Sequence, residues 1–417
     1  MRGRLFAAAV LAAATAAGVV PAVADVAQPA VVSADPVDWT PHVLDGTVRA
    51  ITVVGDTVVV GGDFTSVASH DGAFRYRRTH LFAFGAHDGA IRRFAPHLDG
   101  PVYALAAGPD NTVYVGGAFR TVNGVGQRGL TRLSLASGGR LASFQARINW
   151  GDVRALAVAG PRLYVGGAFT QVNGVARVAL ARLSTRSGRI DTGFDAQLTA
   201  IGAARARVED FALSPDGGRL AVIGAITHAA GLPRRQVALL DVSGPRAVVT
   251  NWYTDAYQPD CDVTYDTYLR GVDFAPDGSY FVVVSTGHAA GNTRLCNTAA
   301  RFQTAGAGWH GPAWVNHTGG NTLFAVAVTG SAIYVGGHQQ WLDNPHGNKS
   351  AGPGAVSRPG IGAIDPRTGR ALAWNPTRSR GVGVRAFLAT PAGLWVGSDT
   401  DSLGREYHAR LGMFPLP

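Results

Sequence analysis

The sequence predicts an all-β fold: a seven-bladed β-propeller of four-stranded antiparallel blades, its ring closed by an N-terminal strand. Three observations point to it. A glycine-centred motif recurs along the chain, short apolar runs alternate with period two between turn residues, and the two ends of the array share a phrase.

The motif reads "VVVGGDFTSV" from Val58, "VYVGGAFRTV" from Val113 and "LYVGGAFTQV" from Leu163, then a degraded "LAVIGAITHA" from Leu220. "YFVVVSTGHA" from Tyr280, "IYVGGHQQWL" from Ile333 and "LWVGSDTDSL" from Leu394 complete the series of seven. The units recur at about 50 to 60 residues, the interval of propeller blades, with a six- or eight-bladed closure as the alternative. Each unit reads alike. A first strand such as "VRALAV" turns through "AGPR", "SPDGG" or "APDGS", where Pro-Asp-Gly supplies the dihedrals of a tight reversal. A second strand, "LYVGG", leads into an F-T-x-V-N-G loop, a third, "ALARLST", turns through "RSGR", and a fourth, "IDTGFDAQL", leads onward. The double glycine is expected to let the backbone bend sharply where a side chain would clash. Phe64, Phe119 and Phe169 are expected between neighbouring blades, and Asn123-Gly124 and Asn173-Gly174 in turns.

The ends supply the third observation. The first unit closes with "RRFAPHLDGPVYAL", and the same phrase precedes that unit as "VDWTPHVLDGTVRAI" from Val37. The last unit stops at "HARLGMFPLP", which matches only a third strand. Val37 to Gly46 is therefore expected to be the missing outer strand of the seventh blade, removing the open edges of an unclosed array.

Composition bounds the rest. At 417 residues, 46% hydrophobic and 16% charged, the chain has enough apolar residues for a large core. Arg2 and Arg4, the apolar run "LFAAAVLAAATAAGVV" and Ala22-Val23-Ala24 read as a secretory leader with its cleavage site. The expected organisation is a leader over 1–24, a short linker over 25–36 and one propeller over 37–417. No later stretch is apolar and long enough to span a bilayer, so a secreted protein without a transmembrane anchor is expected. Cys261 and Cys296 are the only cysteines, and in an oxidising compartment the pair reads as one disulfide. The net charge of +9 rests on arginine, Lys349 being the only lysine. Export turns that charge away from nucleic acid and toward an anionic surface polymer, although the arginines form no run.

At this point a resemblance can be stated. "YVGGAFTQVNGVARVALARLSTRSGRIDTGFDA" resembles the delta-60 type bacterial propeller repeats, related in pattern to repeats of fungal cell-polarity cortical markers. "WLDNPHGNKSAGPGAVSRPGIGAIDPRTGRALAWNP" is similar to the corresponding part of secreted actinobacterial proteins with this propeller. The resemblance covers units one to three and six and is poor over units four and five. It implies a secreted binding or scaffold protein, wall-associated or free, and brings no catalytic residues.

Candidate site residues come from the alignment itself. The second position of the innermost strands holds Arg49, Tyr103, Arg154, Glu209, Arg270, Phe324 and Arg385, and four arginines round one axis would make an anion-binding mouth. The least repetitive segment, "NWYTDAYQPDCDVTYDTY", holds Asp255, Asp260, Asp262 and Asp266 among Trp252, Tyr253, Tyr257 and Tyr265, a set that suits a sugar or cation site beside the expected disulfide. Carboxylates there could instead serve glycoside hydrolysis, although no spacing tells acid from base. His228, His288 and His338 fall at one loop position in units four to six, but blades diverge radially and no shared metal is expected. No nucleophile elbow, H-E-x-x-H or phosphate loop is present, and no cofactor is expected. The functional expectation is a monomeric, non-catalytic extracellular propeller that binds a glycan, cell-wall polymer or protein through its loop-rich face. The alternatives are a secreted carbohydrate-active enzyme using Asp residues near units four and five, and a purely structural or surface-display protein.

Overall fold

The computed structural model describes residues 26–200, 205–258, 261, 265–288, 293–377 and 383–417. The leader and two of the candidate residues, Asp260 and Asp262, lie outside the described residues. The chain is all-β, with no helix among the described residues.

Seven sheets share one plan. Each opens with an inner strand: Thr47–Val54, Val102–Gly108, Val153–Ala159, Arg207–Leu213, Leu269–Phe274, Leu323–Val328 and Ala386–Thr390. Each inner strand pairs antiparallel with a second strand that carries the repeated motif, and the second pairs with a third. The burial patterns explain the sequence patterns. Val102–Gly108 alternates buried and half-buried residues because one face looks into a central channel, whereas Thr112–Gly117 is buried on both faces. A strand with neighbouring sheets on both sides needs apolar residues throughout, which is why the motif reads as a continuous apolar run.

The hydrophobic clusters lie between sheets. One joins Val59, Leu81 and Ala83 of the first sheet to Val102, Val113 and Phe119 of the second, and another joins Val48, Val58 and Phe82 of the first to Trp395, Leu411 and Met413 of the seventh. Phe64, Phe119 and Phe169 are all buried in such clusters. Asn123 and Asn173 take positive φ (50° and 52°), followed by Gly124 and Gly174 (76° and 78°), the hairpin turn expected of Asn-Gly. Each asparagine also stitches in the preceding linker, its Oδ1 accepting from the backbone N–H of His97 and Arg147 respectively, both at 2.8 Å.

Among the described residues, the expected fourth strand is found in only two of these sheets. Val248–Val249 and Trp314–His317 complete the fourth and fifth sheets. Elsewhere it shrinks to single bridges, such as Ile91 to Phe84, Arg140 to Leu133 and Ile190 to Leu183. The reason lies a few residues on. Phe94, Phe144 and Phe194 are buried between sheets, and driving an aromatic ring inward takes the backbone off the ladder.

The double glycine serves close approach rather than a special dihedral, since neither Gly116 nor Gly117 has positive φ. A Cβ on Gly116 would sit 2.6 Å from Val153 Cγ1 of the next sheet, and the same fit recurs for Gly61 with Val102 (2.4 Å), Gly166 with Val208 (2.8 Å), Gly336 with Val384 (2.6 Å) and Gly397 with Val48 (2.5 Å). The second glycine faces its own inner strand. A Cβ on Gly117 would lie 2.2 Å from the Pro101 carbonyl oxygen, and Gly62, Gly167 and Gly337 are confined in the same way. Where the fourth and fifth units lose the first glycine to Ile223 and Val284, a carboxylate spans the junction: Asp210 Oδ2 accepts from Val272 N–H at 3.1 Å and Asp273 Oδ2 from Val328 N–H at 2.7 Å.

The segment before the first inner strand runs beside the last sheet. Val37 N–H donates to Met413 O and Val43 N–H to Ala409 O, both at 2.9 Å, and Trp39 meets Trp395 edge-on at 5.8 Å. Cys261 and Cys296 form a disulfide with Cα atoms 5.6 Å apart. It closes a loop 35 residues apart in sequence, which contributes about 3–4 kcal/mol by restricting the unfolded chain.

Gly117→Ala is expected to lower stability by about 1–3 kcal/mol, because the backbone carbonyl it meets cannot swing aside. Gly126→Ala, whose Cβ would meet nothing within 4 Å, should stay within about 0.5 kcal/mol of the parent. Thermal unfolding of the two variants checks the contrast.

Candidate functional site

The site begins with a backbone irregularity. In six inner strands the register shifts across the second position, from Val48 to Ala50, Val102 to Ala104, Val153 to Ala155, Val208 to Asp210, Leu269 to Gly271 and Leu323 to Ala325. The skipped residue is bulged out of the ladder, and a bulge re-aims its side chain. Arg385 stands just before the seventh inner strand, its N–H bonded to Gly397 O at 2.8 Å.

These positions bring Arg49, Tyr103, Arg154, Glu209, Arg270, Phe324 and Arg385 together round one cavity of about 280 Å³. A second space of about 290 Å³ shares these seven residues and adds the small residues Ala50, Ala104, Ala155, Gly271, Ala325 and Ala386, with Asp210 among them. A third, of about 240 Å³, is lined by Val26, Asp210 and Asp273 among others. The inner strands thus enclose a central channel with an arginine-rich mouth.

Around that mouth the side chains pair with neighbours. The Arg385 guanidinium lies 3.5 Å from the centre of the Phe324 ring and that of Arg49 5.6 Å from the Tyr103 ring. Arg154 forks onto Asp152 (Nε to Oδ1 2.9 Å, Nη2 to Oδ2 3.2 Å) and donates Nη1 to Glu209 Oε2 at 2.8 Å. Arg207 donates to the same Glu209 oxygen at 3.1 Å. Arg270 donates to the carbonyl oxygens of Thr267 and Leu269, and lies 5.9 Å from the Tyr265 ring.

The result is an uneven ring. Glu209 is shared by two arginines, whereas Arg49, Arg270 and Arg385 have no carboxylate within ion-pair distance among the described residues. Arg49 Nε is buried without an acceptor. Burial pushes the Arg385 guanidinium down to about 10, with repulsion from Arg49 and Arg270 adding to it against Asp399 and Glu209. Burial likewise lowers Arg270. Three cations held near one another in a half-buried space attract an anion, and guanidinium forks fit carboxylate and phosphate oxygens.

The other sequence candidates fare differently. Trp252 and Tyr257 are core residues, not surface ones. Trp252 is 1% exposed, stacks on His310 at 5.4 Å and donates its indole N–H to Gln303 O, while Tyr257 packs on Tyr268 and Phe302. Large rings beside an open hydrophobic cluster gain more from burial than from display. The exposed aromatic residues of that segment are Tyr253 and Tyr265. Asp152, Arg207 and Asp210 escaped the sequence reading. Asp210 had a signal, a carboxylate at a strand position where the other units carry alanine or glycine.

Residues 108–136 and 162–194 match a family model described as a domain of unknown function (DUF5122) beta-propeller. The repeats are thus similar to those of a β-propeller family. No curated protein matches the chain. Among solved structures, the computationally designed Ika8 protein is similar at 12% identity and a TM-score of 0.49, covering 92% of this chain and 100% of its own.

Asp210 gives the channel a pH dependence. Enclosure by the channel wall raises its carboxyl to about 7, with Asp273 and Glu209 adding to the rise and the N–H groups of Val272 and Phe211 opposing it. An ordinary unfolded aspartate titrates near ~4, so the folded state binds the extra proton between the two values and loses stability as pH rises from about 4 through about 7. Asp210→Asn is expected to flatten that slope. Thermal midpoints of parent and variant across this range should converge at acid pH relative to neutral pH, and parallel curves would contradict the assignment.

Proposed function

We propose that the protein is a secreted, non-catalytic, seven-bladed propeller that holds an anionic group of an extracellular polymer, glycan or protein in the mouth of its channel. The observation that carries this reading is the convergence of Arg49, Arg270 and Arg385, all without carboxylate partners among the described residues, on one cavity. The carboxylates at the mouth, Asp152 and Glu209, are taken up by Arg154 and Arg207, which suits a binding role better than acid–base work.

Seven similar sheets, each inner strand beside the next, support the blade count. Ring closure is supported by the Gly397–Val48 fit, by the cluster joining Trp395 to Val48, and by the backbone bonds from Val37 to Met413 in the last strand and from Val43 to Ala409, two residues before it. The bond from Val37 to Met413 repeats that from Arg92 to Ala83 in the first sheet, as the shared phrase leads one to expect. Secretion rests on the leader-like N-terminus and the disulfide, and no helix among the described residues is long and apolar enough to cross a membrane.

Two experiments test this. Replacing Arg49 and Arg385 together by Gln is expected to weaken binding to polygalacturonate or polyphosphate roughly ten- to hundredfold, the effect of losing charge-assisted hydrogen bonds. The exposed pair Arg186 and Arg189 serves as the control, and equal losses from both pairs would reduce the mouth to generic surface charge. Deleting 37–46 should lower the thermal midpoint of the whole protein, since the seventh sheet loses its outer neighbour. Unchanged cooperative unfolding would refute closure by this segment.

A further inference from the structure

Outside the lining of the channel, two aromatic side chains stand together in the open. Trp252–Tyr253 and Gly308–Trp309 form a short parallel pair in which Tyr253 registers with Trp309. Registered partners project from the same face. Trp309 is 58% exposed and Tyr253 40%. The neighbouring Trp252 is buried, so the same stretch of structure covers one tryptophan and leaves the other uncovered.

The exposed indole is held in place. Its Nε1 donates to Asp255 Oδ1 at 2.5 Å, and a Cβ on Gly311 would lie 2.8 Å from its Cη2, so the ring lies along bare backbone. The main chain is fixed too, by bonds from Gly308 N–H to Asn251 O at 3.0 Å and from His310 N–H to Tyr253 O at 2.8 Å. The Arg234 guanidinium lies 5.6 Å from the Tyr253 ring. Asp255 Oδ2 has no protein donor among the described residues.

We infer that Trp309 and Tyr253 form a stacking platform for a pyranose ring of a glycan, with Asp255 both fixing the indole and accepting a sugar hydroxyl. A sugar ring has an apolar C–H face and a polar rim, and here two aromatic faces are bordered by a carboxylate and a guanidinium. A protein partner fits less well, because two rings are a small part of the ~800 Å² per side that a stable protein interface buries. Preorganisation favours binding, since the indole is already held by Asp255 before contact. The platform is independent of the arginine mouth and stands or falls separately.

The test uses the full secreted chain and two soluble probes, cello-oligosaccharides and chito-oligosaccharides, read by calorimetry and by tryptophan fluorescence. At least one series is expected to bind and to quench fluorescence. Trp309→Ala should weaken that binding by about tenfold or more, a loss of about 1.4 kcal/mol or more. Trp309→Phe, which keeps a ring, should retain most of the affinity, separating loss of stacking from loss of fold. Asp255→Ala should weaken binding, and replacing the exposed Arg186 and Arg189 by Gln should leave it unchanged. Silence with both probes, or equal binding by Trp309→Ala and the parent, overturns the proposal. So does Trp309-dependent capture of a protein while both saccharide series stay silent.

Discussion

At five of the seven positions round the channel mouth, the geometry depends on the room opened by one hydrogen atom in place of a side chain. Opposite the bulge of these inner strands stands the second glycine of the motif, and a Cβ there would meet the carbonyl oxygen two residues before the bulged one. With the glycine in place the strand can bulge, and the bulged residue turns off the ladder into the channel. The most repetitive feature of the sequence therefore builds the least repetitive feature of the surface. Ser285 and Ser398 occupy this place in the fifth and seventh sheets, so the device is not uniform around the molecule.

The first glycine does different work, joining sheet to sheet. At five junctions a valine in or just before one inner strand fills the hollow left by a glycine of the preceding sheet. Two junctions lack that fit, and these are the two where Asp210 and Asp273 reach across to a backbone N–H of the next strand. A steric interlock has been exchanged there for a hydrogen bond to an ionisable group. The exchange has a physical cost that the other junctions escape, because a carboxylate in an enclosed wall resists carrying its charge.

Much of this was legible in the sequence. The motif could be aligned by its glycines, and the alignment then put Arg49, Tyr103, Arg154, Glu209, Arg270, Phe324 and Arg385 at one position at the start of the inner strands, so they could be grouped from spacing alone. Legibility failed where periodicity failed. In the segment from Asn251 to Tyr268 nothing in the spacing says that Trp252 turns inward and Tyr253 outward. Trp309 was invisible for another reason: it reaches Tyr253 through a parallel bridge between stretches far apart in the chain, and no local pattern announces such a pairing. The fourth strand was overread because "IDTGFDAQL" has strand-like composition, yet its phenylalanine is claimed by the core and breaks the ladder.

The bulged positions have one more consequence. A residue that has left the ladder contributes little to pairing, and one that points into a water-filled space contributes little to the core. Six such residues, joined by Arg385 just before the seventh inner strand, surround one opening, each supplied by a different repeat. A change at any of them alters what the opening can recognise while the folding instructions, written in the glycines and valines behind it, remain as they were. Such an arrangement is highly evolvable: the chemistry of the opening can drift one residue at a time, and a lineage can alter it without first solving the problem of folding again.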